Sequence, residues 1–255
     1  MIRSITVILL VVGLLSVSCT STETGAEDKV LKIAIAANMQ YPMDSITTVF
    51  TELTGITCEV TSNSSGMLTA QIQNGAPFDL FLSANMSYPE ELIKSGFGDC
   101  IRIYAYGKLA LVYPIGAKYT SVEDLLLDSD IRRIAIPDER TAPYGIAAES
   151  FLRKIGIREK LTGKVVIGES VAQVNQYIET NAVNAAFTSY SYVHKFEQKH
   201  EVIQLDPTMY PEIEQGALIL KSGKKNHPDE SMTFIEFLSS KECRRILVHF
   251  GYNIK

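Results

Sequence analysis

Residues 55–84 read GITCEVTSNSSGMLTAQIQNGAPFDLFLSA. Gly55 to Val60 is a short β-branched run, Ser64-Ser65 is a polar turn that opens a helix on Leu68, Gln71 and Ile72, and Asp79 to Leu82 is a second, apolar run. Strand, helix and strand in such close succession predict a mostly parallel sheet with helices on its faces. The turn carries chemistry of its own. Small hydroxyl residues stand where the helix begins, so unpaired N–H groups, hydroxyls and the positive end of the helix dipole converge on one point that attracts an anion. Taken alone, Ser64 or Ser65 reads better as the ordinary cap of a helix. The rest of the chain changes that reading.

On the N-terminal side, residues 29–36 (KVLKIAIA) form another β-branched run that stops at Ala37-Asn38, after which Met43, Ile46, Phe50 and Leu53 recur at helical spacing. A second series begins near Gly107, with strands predicted at 108–113, 133–136, 164–167 and 185–188 and helices at 122–127, 145–155 and 171–180. Val202 to Leu205 adds a further strand. Two successive α/β series predict an α/β protein of two lobes with a cleft between them: residues 29–106 begin lobe 1 and residues 107–212 form lobe 2. Residues 213–255 are too few to stand alone and are expected to return to lobe 1.

Residues 1–19 read as a lipoprotein-type signal segment, with Arg3, an apolar run from Ile5 to Leu15, and small residues before Cys19. The run is shorter than the roughly 20 residues of a bilayer span. Ser16-Val17-Ser18-Cys19 resembles a bacterial lipobox, although its usual Leu sits one place further off, at Leu15. This implies an exported chain, periplasmic or at the cell surface, lipid-anchored at Cys19 through a polar tether over residues 20–28. A net charge of −5 and the lack of a basic cluster argue against a nucleic-acid partner. Cys58, Cys100 and Cys243, an odd and scattered set, read as buried thiols or at most one bridge. His194, His200, His227 and His249 show no metal-ligand spacing.

Turns that end strands and begin helices are where open α/β sheets bind ligands. Asn38, Ser64-Ser65, Ala142-Pro143-Tyr144-Gly145 and Ser170-Val171 are such turns, two from each lobe. Each exposes backbone N–H groups, and Asn38, Ser65 and Tyr144 can add neutral side-chain donors. None has a Lys or Arg at its tip. Individually, Asn38 is also a good turn residue, Tyr144 a cleft wall and Val171 the start of a core-facing helix.

Across essentially the whole mature chain these pieces resemble the molybdate-binding proteins of ABC transporters. The matching residues are Ala36-Ala37-Asn38, Ser64-Ser65-Gly66, Gly75-Ala76-Pro77 with Asp79 to Ala84, Tyr106 to Leu109, Ala142 to Gly145 with Ala147-Ala148, and Phe250 to Lys255. The resemblance implies a type II periplasmic-binding-protein fold. It also implies ligand positions at Asn38, Ser65, Tyr144 and Val171, the last through its N–H. Some relatives have Ser for Asn38, Ala for Tyr144 and a ligating Tyr for Ser189, so this chain resembles an Asn/Tyr branch and Ser189 is in doubt as a ligand.

The expected function is therefore capture of molybdate, with tungstate, by a monomeric receptor that hands it to a membrane permease. The oxyanion would be held through its oxygens, with no protein–metal bond, no cofactor and no catalytic residue. Discrimination from sulfate would rest on cavity size. The rivals are a binding protein for another oxyanion or a chelated metal, a surface adhesin, and a secreted hydrolase with Ser64 or Ser65 as nucleophile. No G-x-S-x-G elbow surrounds either serine, which disfavours the hydrolase.

Overall fold

The computed structural model describes residues 30–255 apart from 117 and 198. The signal segment, the tether and Cys19 lie outside the described residues. In chain order the elements are β1 (Val30–Ala36), α1 (Gln40–Thr54), β2 (Thr57–Asn63), α2 (Ser65–Gln73), β3 (Leu80–Ser83), α3 (Ser87–Lys94), β4 (Gly98–Gly107), β5 (Leu109–Pro114) and α4 (Val122–Leu127). There follow β6 (Ile134–Pro137), α5 (Pro143–Lys154), β7 (Val165–Gly168), α6 (Val171–Glu179), β8 (Ala185–Ser189), α7 (Val193–Phe196), β9 (His200–Gln204), β10 (Ile213–Leu220), α8 (Lys221–Asn226), α9 (Pro228–Phe237) and α10 (Lys241–His249).

Two sheets result, ordered β2-β1-β3-β10-β4 and β7-β6-β8-β5-β9, each covered by helices in the type II periplasmic-binding-protein arrangement. In the first, β1 runs parallel to β2 and β3, and β10 runs antiparallel to β3 and β4. In the second, β6 runs parallel to β7 and β8, and β5 runs antiparallel to β8 and β9. The exceptions have a simple cause. The chain leaves the first sheet at Gly107 and enters the second at Leu109, then returns with β10 at Ile213, so β5 and β10 start where the other strands of their sheets end.

Alternation along β1 builds two cores at once. Leu31, Ile33 and Ile35 pack with Met43, Ile46 and Phe50 of α1 and with Phe234, Phe237 and Leu247 of the C-terminal helices. Ala34 faces the opposite core with Leu68, Ile72, Phe81 and Leu92. Phe50 meets the Phe234 ring edge-on at 4.9 Å. Burying a side chain of this kind contributes about 1.5–3 kcal/mol. α1 stops at Gly55, whose φ of 73° lets its N–H reach back to the Thr51 carbonyl at 2.8 Å.

Several expectations need correction. β4 has no counterpart in the strands read from the residues, because it lies at a sheet edge with only Tyr104 and Ala105 buried, and so lacks an apolar period. α3, α7 and α8 likewise have no counterpart in the helices read from the residues; all three are short. Leu53 keeps the spacing of Met43, Ile46 and Phe50, yet it is 63% exposed at the end of α1. Cys58, Cys100 and Cys243 are free thiols; Cys243 is buried, but Cys100 is exposed rather than core.

Candidate functional site

Four helix or turn starts meet between the sheets. The 3-10 turn Ala37–Met39 follows β1 and carries Asn38; Ser64 caps α2 and Ser65 opens it; Ala142 caps α5, which starts Pro143-Tyr144; Ser170 caps α6, which starts at Val171. Asn38, Ser64, Ser65, Tyr144 and Val171 line one small cavity with Ala36, Ala37, Ala84, Ala142 and Pro143. Its volume is about 10 Å³, far below the usual size of a metabolite pocket. All four residues named from the sequence are thus brought together, each 3% exposed or less.

The wall holds no Lys, Arg, His, Asp or Glu. Its polarity comes from backbone N–H groups and serine hydroxyls. The first N–H groups of a helix have no carbonyl one turn back, so Ser65, Tyr144 and Val171 offer donors backed by helix dipoles. Pro143 suits this design, since a Pro at the first helical position removes an N–H that would have no partner. Val171 is framed by Ser170, whose hydroxyl accepts the Gln173 N–H at 3.3 Å. Arg140, the nearest cation in the sequence, is turned to Asp138 at 2.7 Å with its side chain 84% exposed. Its hydrogen bonds hold the Asp138 carboxyl below the usual range.

Side-chain donors are arranged differently from the expectation. Ser65 Oγ accepts the Ala84 N–H at 3.0 Å, which leaves its proton for another acceptor. Asn38 Nδ2 donates to Gln215 Oε1 at 2.7 Å and to the Tyr252 hydroxyl at 2.8 Å, so both of its amide protons are engaged. Gln215 Nε2 donates in turn to the Ile213 carbonyl at 3.1 Å, which fixes Oε1 toward Asn38. The Tyr144 hydroxyl accepts from Ser189 Oγ at 3.0 Å, and neither Ser189 nor Tyr252 lines the cavity. Asn38 has no side-chain proton left for the cavity, and the Tyr144 hydroxyl lies beside Ser189 and Gly107, neither of which lines it, so both residues face the cavity as backbone donors and the side-chain donation expected from them is corrected.

Behind the wall lies a hydroxyl network that the sequence did not reveal. Ser191 Oγ and the Tyr252 hydroxyl both donate to the Asn38 carbonyl, at 2.7 and 3.0 Å, and the Tyr192 hydroxyl donates to the Ala37 carbonyl at 2.8 Å. The last bond holds the peptide plane whose N–H belongs to Asn38. Burial pushes the Tyr144 hydroxyl well above its ordinary pKa and that of Tyr252 up to about 12. Tyr252 is 214 positions from Asn38, so no local pattern could have paired them. Two further bonds close the opposite side: Gly66 N–H to the Thr141 carbonyl at 2.8 Å and the Tyr88 hydroxyl to the Arg140 carbonyl at 3.1 Å.

Such a site can surround a small acceptor-only anion and has no base or nucleophile pair within it. Among the described residues no group of three His, Cys, Asp or Glu side chains is placed to hold a metal ion.

The model of the family described as bacterial extracellular solute-binding protein matches residues 31–253. The molybdate-binding protein ModA of Rhodobacter capsulatus is 34% identical over 223 residues, 86% of each chain. ModA of Azotobacter vinelandii is 31% identical over 256 residues, 98% of this chain and 97% of that one. The solved periplasmic molybdate-binding protein of Azotobacter vinelandii superposes with a TM-score of 0.81 at 28% identity, covering 88% of this chain and 99% of its own.

Proposed function

The chain belongs to the bacterial extracellular solute-binding proteins, and from that membership we propose that it captures molybdate, and tungstate with it, at Asn38, Ser65, Tyr144 and Val171. It serves as the molybdate-binding component of an ABC transporter, as its relatives' names and its match to them along nearly the whole chain support. The observation that carries the reading is one small cavity walled by neutral donors at four helix or turn starts drawn from both lobes.

A site without a counter-charge suits this task. Hydrogen bonds and helix ends stabilise a fully ionised oxyanion without fixing a cation beside it, and every wall donor requires an acceptor oxygen. Because donors come from both lobes, the bound anion joins them and favours the closed cleft. The protein performs no chemistry on its ligand and passes it to the permease as a monomer. Membership in an extracellular family supports a location outside the cytoplasm; in this reading Cys19 is the acylated N-terminus and anchors the chain to the membrane surface through residues 20–28. No helix among the described residues is long and apolar enough to cross a membrane.

Calorimetry with molybdate, tungstate, sulfate and phosphate tests the reading. The expected result is one-to-one binding of molybdate and tungstate with sulfate and phosphate far weaker. Sulfate or phosphate bound as tightly as molybdate would overturn the size argument.

A further inference from the structure

Ser64 differs from every other polar residue of the cavity wall. It is 3% exposed, and its Oγ is sealed from solvent with no hydrogen-bond partner. Its position before α2 is that of a cap, whose hydroxyl ordinarily accepts the N–H of the second or third helical residue. Here the side chain makes no capping bond. The reason is visible at the second position: the Gly66 N–H is taken across the cleft by the Thr141 carbonyl at 2.8 Å. The Ser64 backbone is meanwhile held by its own N–H, which donates to Asn63 Oδ1 at 2.8 Å. A fixed backbone, a buried hydroxyl and no protein partner leave the cavity as the place where that hydroxyl can be satisfied, since a buried polar group without a partner is costly.

We infer that Ser64 is a ligand-binding residue, a second side-chain hydroxyl that donates to the oxyanion beside Ser65. The inference rests on the oxyanion reading of the cavity and adds to it a donor on lobe 1. The other unpartnered buried side-chain atom in the wall is Asn38 Oδ1, an acceptor, so it does not take over this role toward an anion. Ser64 and Ser65 thus act as a pair of hydroxyls at one helix start, with Ser65 oriented by the Ala84 N–H and Ser64 oriented by the anion itself.

The test compares the parent protein with Ser64→Ala by calorimetry and by melting without ligand. Molybdate is the probe, with sulfate and phosphate run in parallel. The expected result is a Kd for molybdate about 10- to 100-fold weaker in the variant, with an unchanged ligand-free melting temperature, because the hydroxyl caps nothing in the protein. An unchanged Kd overturns the inference. So does a weaker Kd accompanied by a ligand-free melting temperature several degrees lower, which would make Ser64 a helix cap after all. If the parent binds sulfate or phosphate and not molybdate, the molybdate reading fails by itself, and Ser64 is judged by the same comparison on the anion that does bind. If the parent binds none of the three, the reading and the inference fall together.

Discussion

Because Ser65 Oγ already accepts the Ala84 N–H, its proton is directed away from that bond and is available to an anion. Ser65→Ala should therefore weaken molybdate binding about 10- to 100-fold, the usual worth of one hydrogen bond to a charged group, as calorimetry would register. Tyr144→Phe should behave otherwise. The hydroxyl it deletes lies beside Gly107 and Ser189, neither of them in the cavity wall; Ser189 retains Ser191 Oγ at 2.8 Å as a neighbour, and the Tyr144 N–H is untouched. Its Kd should stay within about threefold of the parent, less than the loss of any direct bond to a charged group; a loss as large as that of Ser65→Ala would place the hydroxyl on the anion. The thiols differ in the same residue-by-residue way. Burial pushes Cys58 and Cys243 up to about 12, while Cys100 is exposed. The thiolate is the reactive form, so a disulfide reagent at pH 8 should label Cys100 in the native protein and reach Cys58 and Cys243 only on unfolding.

At the scale of elements, the start of α2 serves two surfaces. Its first residue opens the cavity, and its second, Gly66, meets the loop before α5 from the other lobe. A Cβ at Gly66 would lie 2.8 Å from the Tyr88 hydroxyl and 2.9 Å from Thr141 Cα, closer than real contacts allow. The backbone of Thr141 cannot give way as a side-chain tip could. Gly66→Ala should hold the lobes apart, break the bond to the Thr141 carbonyl and shift the population toward an open cleft. The expected outcome is faster molybdate release and a larger radius of gyration by X-ray scattering in the presence of ligand, while the fold is retained because α2 itself gains a better helix former. Unchanged release would show that this contact does not hold the cleft shut.

For the whole molecule, pH dependence follows from the tyrosine network. Tyr252 is pushed up to about 12 by burial, against about 10 for an ordinary tyrosine. A group whose folded pKa is raised contributes stability that is complete below the unfolded pKa and is lost as pH rises through the folded one. Melting temperature should thus be insensitive to this group from about pH 6 to 9 and fall between about 10 and 12. A decline already complete by pH 9 would contradict the burial. Ligand should act on the same transition from the other side. At molybdate 100-fold above its Kd the native state gains about 2.7 kcal/mol, seen as a higher melting temperature, and the same concentration of sulfate should leave it nearly unmoved.

Local chemistry was legible wherever one element's own residues decide it. The β-branched run of β1, the Ser64-Ser65 start of α2 and the Pro143-Tyr144 start of α5 announce themselves within a few positions, because strand pleat, helix period and unpaired first-turn N–H groups are short-range properties. The turns at Asn38, Ser65, Tyr144 and Val171 could be picked out for that reason. What no stretch of chain contains is the direction of each donor. Asn38 Nδ2 is drawn off by Gln215 and Tyr252, 177 and 214 positions away, and the Tyr144 hydroxyl is set beside Ser189 and Gly107, behind the wall. Those partners come from β8, β10 and the C-terminal residues, and only folding brings them behind the cavity wall. Sequence determined which turns could meet an anion; tertiary structure decided which of their atoms are left to do so, because each hydrogen-bond donor serves the partner that packing places nearest to it.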